Sequence, residues 1–124
     1  MIQRDPAVGH FCTDYTTARA RFIAAALAVG GRIHSYPHPL RGPMGEEIAC
    51  DTAWIGPRDA ARVLVLISGA HGAEGFAGSG LQIDVLAGPW PRSLPEGLAL
   101  LLVHGINPHG FAWLRRTTEE GVDL

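Results

Sequence analysis

A chain of 124 residues, 47% hydrophobic and 18% charged, has the size and composition of one globular domain rather than a disordered segment. Its formal net charge of −2 leaves no electrostatic footprint for nucleic acid or an anionic membrane surface. All ten basic residues are arginine, which excludes a phosphate-binding P-loop lysine and a Schiff-base lysine.

The first residues, Met1 to Pro6, carry no secretory apolar region, and no apolar run reaches membrane-spanning length; a cytoplasmic protein is expected. Cys12 and Cys50 are too few for a disulfide framework and read as reduced, buried thiols. Thr13 to Val29 predicts a helix that Thr13 or Asp14 can cap and that Gly30-Gly31 ends. Phe22, Ile23, Ala26 and Leu27 form its apolar side, which turns Arg19 and Arg21 toward solvent. Arg32 to Tyr36 predicts a short strand broken by Pro37 and Pro39, and Glu47 to Ile55 a second one. The Gly- and Pro-rich link between them predicts an antiparallel hairpin. His10, His34 and His38 fall on or near these elements and are expected to be structural or at the surface.

After a turn at Gly56–Asp59, Arg62 to Ile67 predicts a central strand, Gly75 to Leu86 a helix, and Leu98 to Val103 another strand. Neither strand alternates with polar residues, the pattern of burial on both faces in a parallel sheet. The fold class is therefore α/β, a mixed sheet with an N-terminal antiparallel hairpin and a parallel βαβ core, in a single domain. Parallel strands finish at one edge, so the Asn107–Arg116 loop should lie beside the residues just after Ile67. Two helices cannot cover two faces of a four-stranded sheet. An uncovered apolar face would favour self-association into a homo-oligomer.

Immediately after Ile67 the chain reads S-G-A-H-G-A-E-G, which places His71 and Glu74 three residues apart at a strand-to-helix turn among small residues. Ligands bind at the carboxyl end of strands in open α/β sheets. Imidazole and carboxylate are zinc donors, and a catalytic zinc takes three protein ligands plus an open position. A serine esterase of the α/β-hydrolase type needs G-x-S-x-G, and none of Ser35, Ser68, Ser79 or Ser93 has glycine on both sides at that spacing. The G-S-G at Gly78–Gly80 falls within the helix and does not begin a dinucleotide-binding G-x-G-x-x-G.

Taken in order, S-G-A-H-G-A-E-G, L-L-V-H-G-I-N-P-H-G-F and R-R-x-x-E-E-G-V-D-L resemble the M14 zinc carboxypeptidase superfamily. The likeness is to its bacterial DUF2817-type branch, related to aspartoacylase and succinylglutamate desuccinylase, and covers about Val63 to Leu124. It implies His71 and Glu74 as the first two zinc ligands, and Arg116, in preference to Arg115, as the arginine that stabilises the oxyanion. It further implies Asp123 as the acid that orients His71, and Asn107 and Gly110 as residues that shape the loop. His104 and His109 are not ligands in this pattern. The third histidine ligand and the catalytic glutamate have no match, which implies the amino-terminal half of a zinc-dependent hydrolase, inactive alone. The substrate so implied is a small peptide or an N-acyl amino acid. The alternatives are a non-catalytic α/β module that self-associates and, despite the missing elbow, an α/β-hydrolase-like serine esterase fragment.

Overall fold

The computed structural model describes residues 5–124; Met1 to Arg4, part of the segment read for a leader, lies outside the described residues. A short 3-10 turn (Pro6–His10) precedes helix α1 (Tyr15–Ala28), strands β1 (Arg32–Arg41), β2 (Glu47–Ile55) and β3 (Arg62–Ile67), helix α2 (Glu74–Ala87), strand β4 (Leu98–His104) and helix α3 (Pro108–Trp113). The four strands form one sheet in the order β1-β2-β4-β3. β1 and β2 make the antiparallel hairpin, β2 pairs antiparallel with β4, and β3 runs parallel to β4 with Leu64 opposite Leu100. The mixed α/β architecture expected from the hydrophobic pattern is present. No helix among the described residues is long and apolar enough to cross a membrane.

Local chemistry explains the element ends. Asp14 caps α1 by accepting the Thr17 N–H at 2.8 Å, and Gly30, at φ +74°, turns the chain out of the helix. β1 continues past Pro37 and Pro39 to Arg41, where a break at Tyr36 was expected. The prolines, which cannot donate to the ladder, instead mark a register irregularity between Pro37 and Arg41. The segment after Asn107, expected as a loop, contains the short helix α3.

Both long helices pack on the same face of the sheet. Phe22 and Ala26 of α1, Ile83 and Leu86 of α2, and Ala53, Ile55, Leu100 and Leu102 from the strands form the main core. A smaller cluster of Tyr15, Ala18, Ile48 and Phe111 closes the end near α3. The opposite face is open, as the shortage of helices predicted.

Several expectations fail here, each for its own reason. β3 is not central but lies at the sheet edge, and Val63, Val65 and Ile67 project from it into solvent, 42–58% exposed. An unbroken apolar pattern reports that a strand suits two-sided cover; the helices of this chain supply only one side. Arg19 is the second correction. It does not face solvent: its guanidinium donates to both carboxylate oxygens of Asp51, at 2.8 and 3.1 Å. Asp51 is fully buried on the helix-covered face and also accepts the Ser35 hydroxyl. Cys12 and Cys50 are free thiols, each partly exposed rather than buried.

Candidate active site at the carboxyl end of β3

Where β3 and β4 finish, the sheet hydrogen bonding runs on into the two loops. Ile106 N–H donates to the Ser68 carbonyl at 3.0 Å, Asn107 N–H to that of Gly69 at 3.1 Å, and Asn107 Nδ2 to that of Ala70 at 3.1 Å. Gly69 sits at φ +75°, and a Cβ there would lie 2.7 Å from Gly105 Cα, so the two loops meet backbone to backbone. Asn107 also caps α3, its Oδ1 accepting the Gly110 N–H at 2.9 Å, with Pro108 in the first helical turn. The N-P-H-G segment is thus a staple between loops.

The His71–Gly75 segment forms a tight turn, with Gly75 N–H donating to the carbonyls of His71 and Gly72 at 3.0 and 2.9 Å. Phe111 packs beneath it, against Gly75, and places α3 under the turn. α3 ends at Leu114 in the left-handed conformation (φ 55°), and the chain doubles back along the His71 turn. Gly72 N–H donates to the Arg115 carbonyl at 3.0 Å, and His71 Nδ1 lies 3.1 Å from the Arg116 carbonyl.

Three of the four residues singled out by sequence meet directly. The Arg116 Nε donates to Asp123 Oδ2 at 2.8 Å, and Asp123 Oδ1 is 3.5 Å from His71 Nε2. Arg116 and Asp123 are solvent-accessible, while the His71 ring is largely covered. The hydrogen bond from Arg116, ahead of the charges of Arg116 and His71, holds the Asp123 carboxyl below its ordinary pKa; the same bond, helped slightly by Glu74, raises that of Arg116.

Glu74 is the first residue of α2, exposed, and has no hydrogen-bond partner among the described residues. Its charge reaches Arg116 and complements the α2 N-terminus, but no direct contact joins it to His71. Arg115 enters through its carbonyl rather than its guanidinium, which leaves Arg116 as the arginine whose side chain reaches the site.

The donor types at His71 and Glu74 suit zinc, but their number does not complete a site. Among the described residues no three of His, Cys, Asp and Glu converge to hold a metal ion. Both ring nitrogens of His71 face oxygen atoms, so a cation there must displace one of them. What these residues offer is an imidazole beside a carboxylate, with a permanently charged guanidinium next to both.

Ser79 and His104 form the other histidine pair below this edge, Oγ to Nε2 at 2.9 Å, both buried. Asp51 is occupied by Arg19 and Ser35, and His104 Nδ1 has no partner, so no accessible serine triad exists here.

Gly72, one of the small residues of the turn, admits the close backbone approach expected there, and the tertiary structure shows that the segment after α3 is what approaches it. A Cβ on it would sit 2.6 Å from the Leu114 carbonyl carbon and 2.7 Å from Arg115 N. Gly72→Ala should therefore push the 115–116 segment off the His71 turn, at a cost of about 1–3 kcal/mol. Urea denaturation and faster amide exchange at position 72 would register it; unchanged exchange would count against a close fit at this point.

A family model described as "Protein of unknown function (DUF2817)" matches residues 11–124. The chain belongs to this family. No match was found among curated proteins. Among solved structures, the DUF2817 chain is similar to the glutaminyl cyclase of Porphyromonas gingivalis, with a TM-score of 0.53 and 12% identity over 79% of this chain and 43% of that one. A Zn-dependent exopeptidase from Parabacteroides distasonis gives a TM-score of 0.54 and 11% identity over 78% of this chain and 40% of that one. The Tannerella forsythia glutaminyl cyclase gives 0.52 and 13% over 78% and 40%. At such identities the likeness is one of fold. The DUF2817 chain spans about two fifths of the length of these structures.

Proposed function

We propose that this DUF2817 chain carries part of the active site of a zinc-dependent amide hydrolase of the M14 type. The observation that carries the reading is the convergence of His71, Asp123 and Arg116 at the end of β3, with Glu74 on the same turn. The family match and the fold shared with a Zn-dependent exopeptidase support it. His71 and Glu74 would hold the metal, which when bound supplies a Lewis acid and a water acidified to a pKa of about 7. Asp123 fixes the orientation of the His71 ring. The Arg116 guanidinium, permanently charged, stabilises negative charge that develops on an amide carbonyl oxygen. The substrate class that fits is a small peptide or an N-acyl amino acid.

Two ligands imply weak zinc binding and no turnover by these 124 residues alone. Titration of the isotope-labelled chain with zinc should shift the His71 and Glu74 signals in the high-micromolar to millimolar range, and His71→Ala should abolish the shift. Zinc-induced shifts elsewhere, or none at His71, would remove the metal reading.

A second reading, a non-catalytic module that pairs through its open sheet face, is favoured by the exposed Val63, Val65 and Ile67. Size-exclusion chromatography separates the two. A zinc-free oligomer that becomes monomeric on Val65→Lys supports the module.

A further inference from the structure

The segment after α3 carries Arg116 and Asp123 to the His71 turn, and its fastening reaches far across the chain. Thr118 N–H donates to the Val122 carbonyl at 2.9 Å, Gly121 N–H to that of Thr118 at 3.0 Å, and Val122 N–H to Thr118 Oγ1 at 3.2 Å. Residues 118–122 are thus closed into a small loop, with Asp123 leaving its base. Glu119 stands on that loop, its Oε1 3.0 Å from Nε2 of His38.

His38 is held from behind. Its Nδ1 accepts the Leu40 N–H at 3.1 Å, which leaves Nε2 to carry the proton and donate to Glu119. Its side chain is only 13% exposed, with its ring 6.0 Å from that of His109, which in turn stacks on Trp113 at 5.8 Å. Trp113 Nε1 donates to the Arg41 carbonyl at 3.1 Å and ties α3 to the irregular end of β1. Among the described residues, the polar contacts that join residues 117–124 to the preceding chain are Glu119–His38 and those of Asp123 with Arg116 and His71.

We propose that His38 and Glu119 are positioning residues for the site: their bond fixes loop 118–122 so that Asp123 is delivered between Arg116 and His71. The inference rests on reading His71, Asp123 and Arg116 as functional. Without the His38–Glu119 bond, Asp123 keeps one firm partner, the long and exposed Arg116 side chain, which does not define a position. The charged and titratable groups facing the bond are His109, on α3, and Arg115, whose charges both act on this cluster. The β1 end, which sequence reasoning set apart from the chemistry, thereby becomes its support.

The test uses the full chain, isotope-labelled, with two readouts at one neutral pH: amide exchange and the ring nitrogen shifts of His71. His38→Asn keeps an oxygen for the Leu40 N–H but is too short to reach Glu119, and Glu119→Ala removes the acceptor. Both should accelerate exchange at Thr118, Gly121 and Val122 about tenfold or more and shift the His71 nitrogens, with β4 amides unchanged. Glu119→Gln, whose amide oxygen still accepts from Nε2, should restore most of both effects. Wild-type exchange in His38→Asn and Glu119→Ala overturns the proposal, as does faster exchange with unmoved His71 nitrogens. If His38→Asn loses β4 protection, Glu119→Ala, a change at an exposed loop, decides alone. Asp123→Asn separates the underlying reading: it should move the His71 nitrogens with loop exchange unchanged. Unmoved nitrogens in that variant refute Asp123 as the partner of His71 and overturn the positioning role; the exchange data then still report whether His38 and Glu119 hold the loop.

Discussion

Replacing Arg19 with alanine should destabilise the chain by about 3–5 kcal/mol, the usual cost of stripping the partner from a buried charge. Asp51 is fully buried, and after the substitution its carboxylate would keep only the Ser35 hydroxyl. The bidentate geometry, with Nε and Nη2 of Arg19 on the two oxygens, is what makes the desolvated carboxylate tolerable. A loss of that size is a large part of the roughly 5–15 kcal/mol typical of a domain. The double variant Arg19→Ala/Asp51→Ala should recover part of it, because no charge is then stranded. Urea denaturation at pH 7 measures both; a loss below about 1 kcal/mol in the single variant would show that Asp51 finds water or another partner.

Acidification from pH 7 to 4 should remove about 3 kcal/mol of stability through His104 alone. Burial, opposed by the nearby Asp51 charge and reinforced by that of Arg19, lowers its pKa from 6.5 to about 4. The neutral ring stacks on Phe22, with centroids 4.5 Å apart, and binds Ser79. In the unfolded chain the ring protonates as pH falls through 6.5, whereas in the folded chain it resists until about 4. Stability therefore is intact above pH 6.5 and drains away between 6.5 and 4. His109, whose pKa burial also lowers, pulls in the same direction. The lowered carboxylates Asp14, Glu119 and Asp123 act mainly at lower pH. His104→Gln, able to keep a hydrogen bond to Ser79, should flatten this window relative to the parent while leaving the His109 contribution in place. Equal slopes for parent and variant would mean that His104 is protonated in the fold.

Several features could be read from residue order. The period-2 and period-3.6 patterns place β2 and both long helices to within a residue or two, since those signals arise from local geometry. The parallel pairing of β3 with β4 is implied by strand, helix and strand in succession, and that pairing carries residues 107–116 to His71. The grouping of His71, Arg116 and Asp123 was legible through motif order, although spacing alone could not show which oxygen faces which ring nitrogen.

Other features were out of reach because they depend on partners distant in sequence. Arg19 lies on a helix flank, and only the placement of Asp51 on the neighbouring strand turns it inward. His38 looked peripheral because Glu119, its partner, lies 81 residues away. β3 looked central because an apolar run records fitness for burial, whereas position within a sheet is set by which strands pair.

By itself, then, the sequence determined the fold class and most element types, since these rest on short-range periodicity, and through motif resemblance it pointed to His71, Arg116 and Asp123, which meet at the end of β3. Tertiary structure alone decided the edge position of β3, the single covered face, the inward turn of Arg19 and the link from His38 through Glu119 toward Asp123. Those outcomes depend on which distant groups compete best for one buried charge, one face or one ring nitrogen. Such competition is settled by packing in three dimensions.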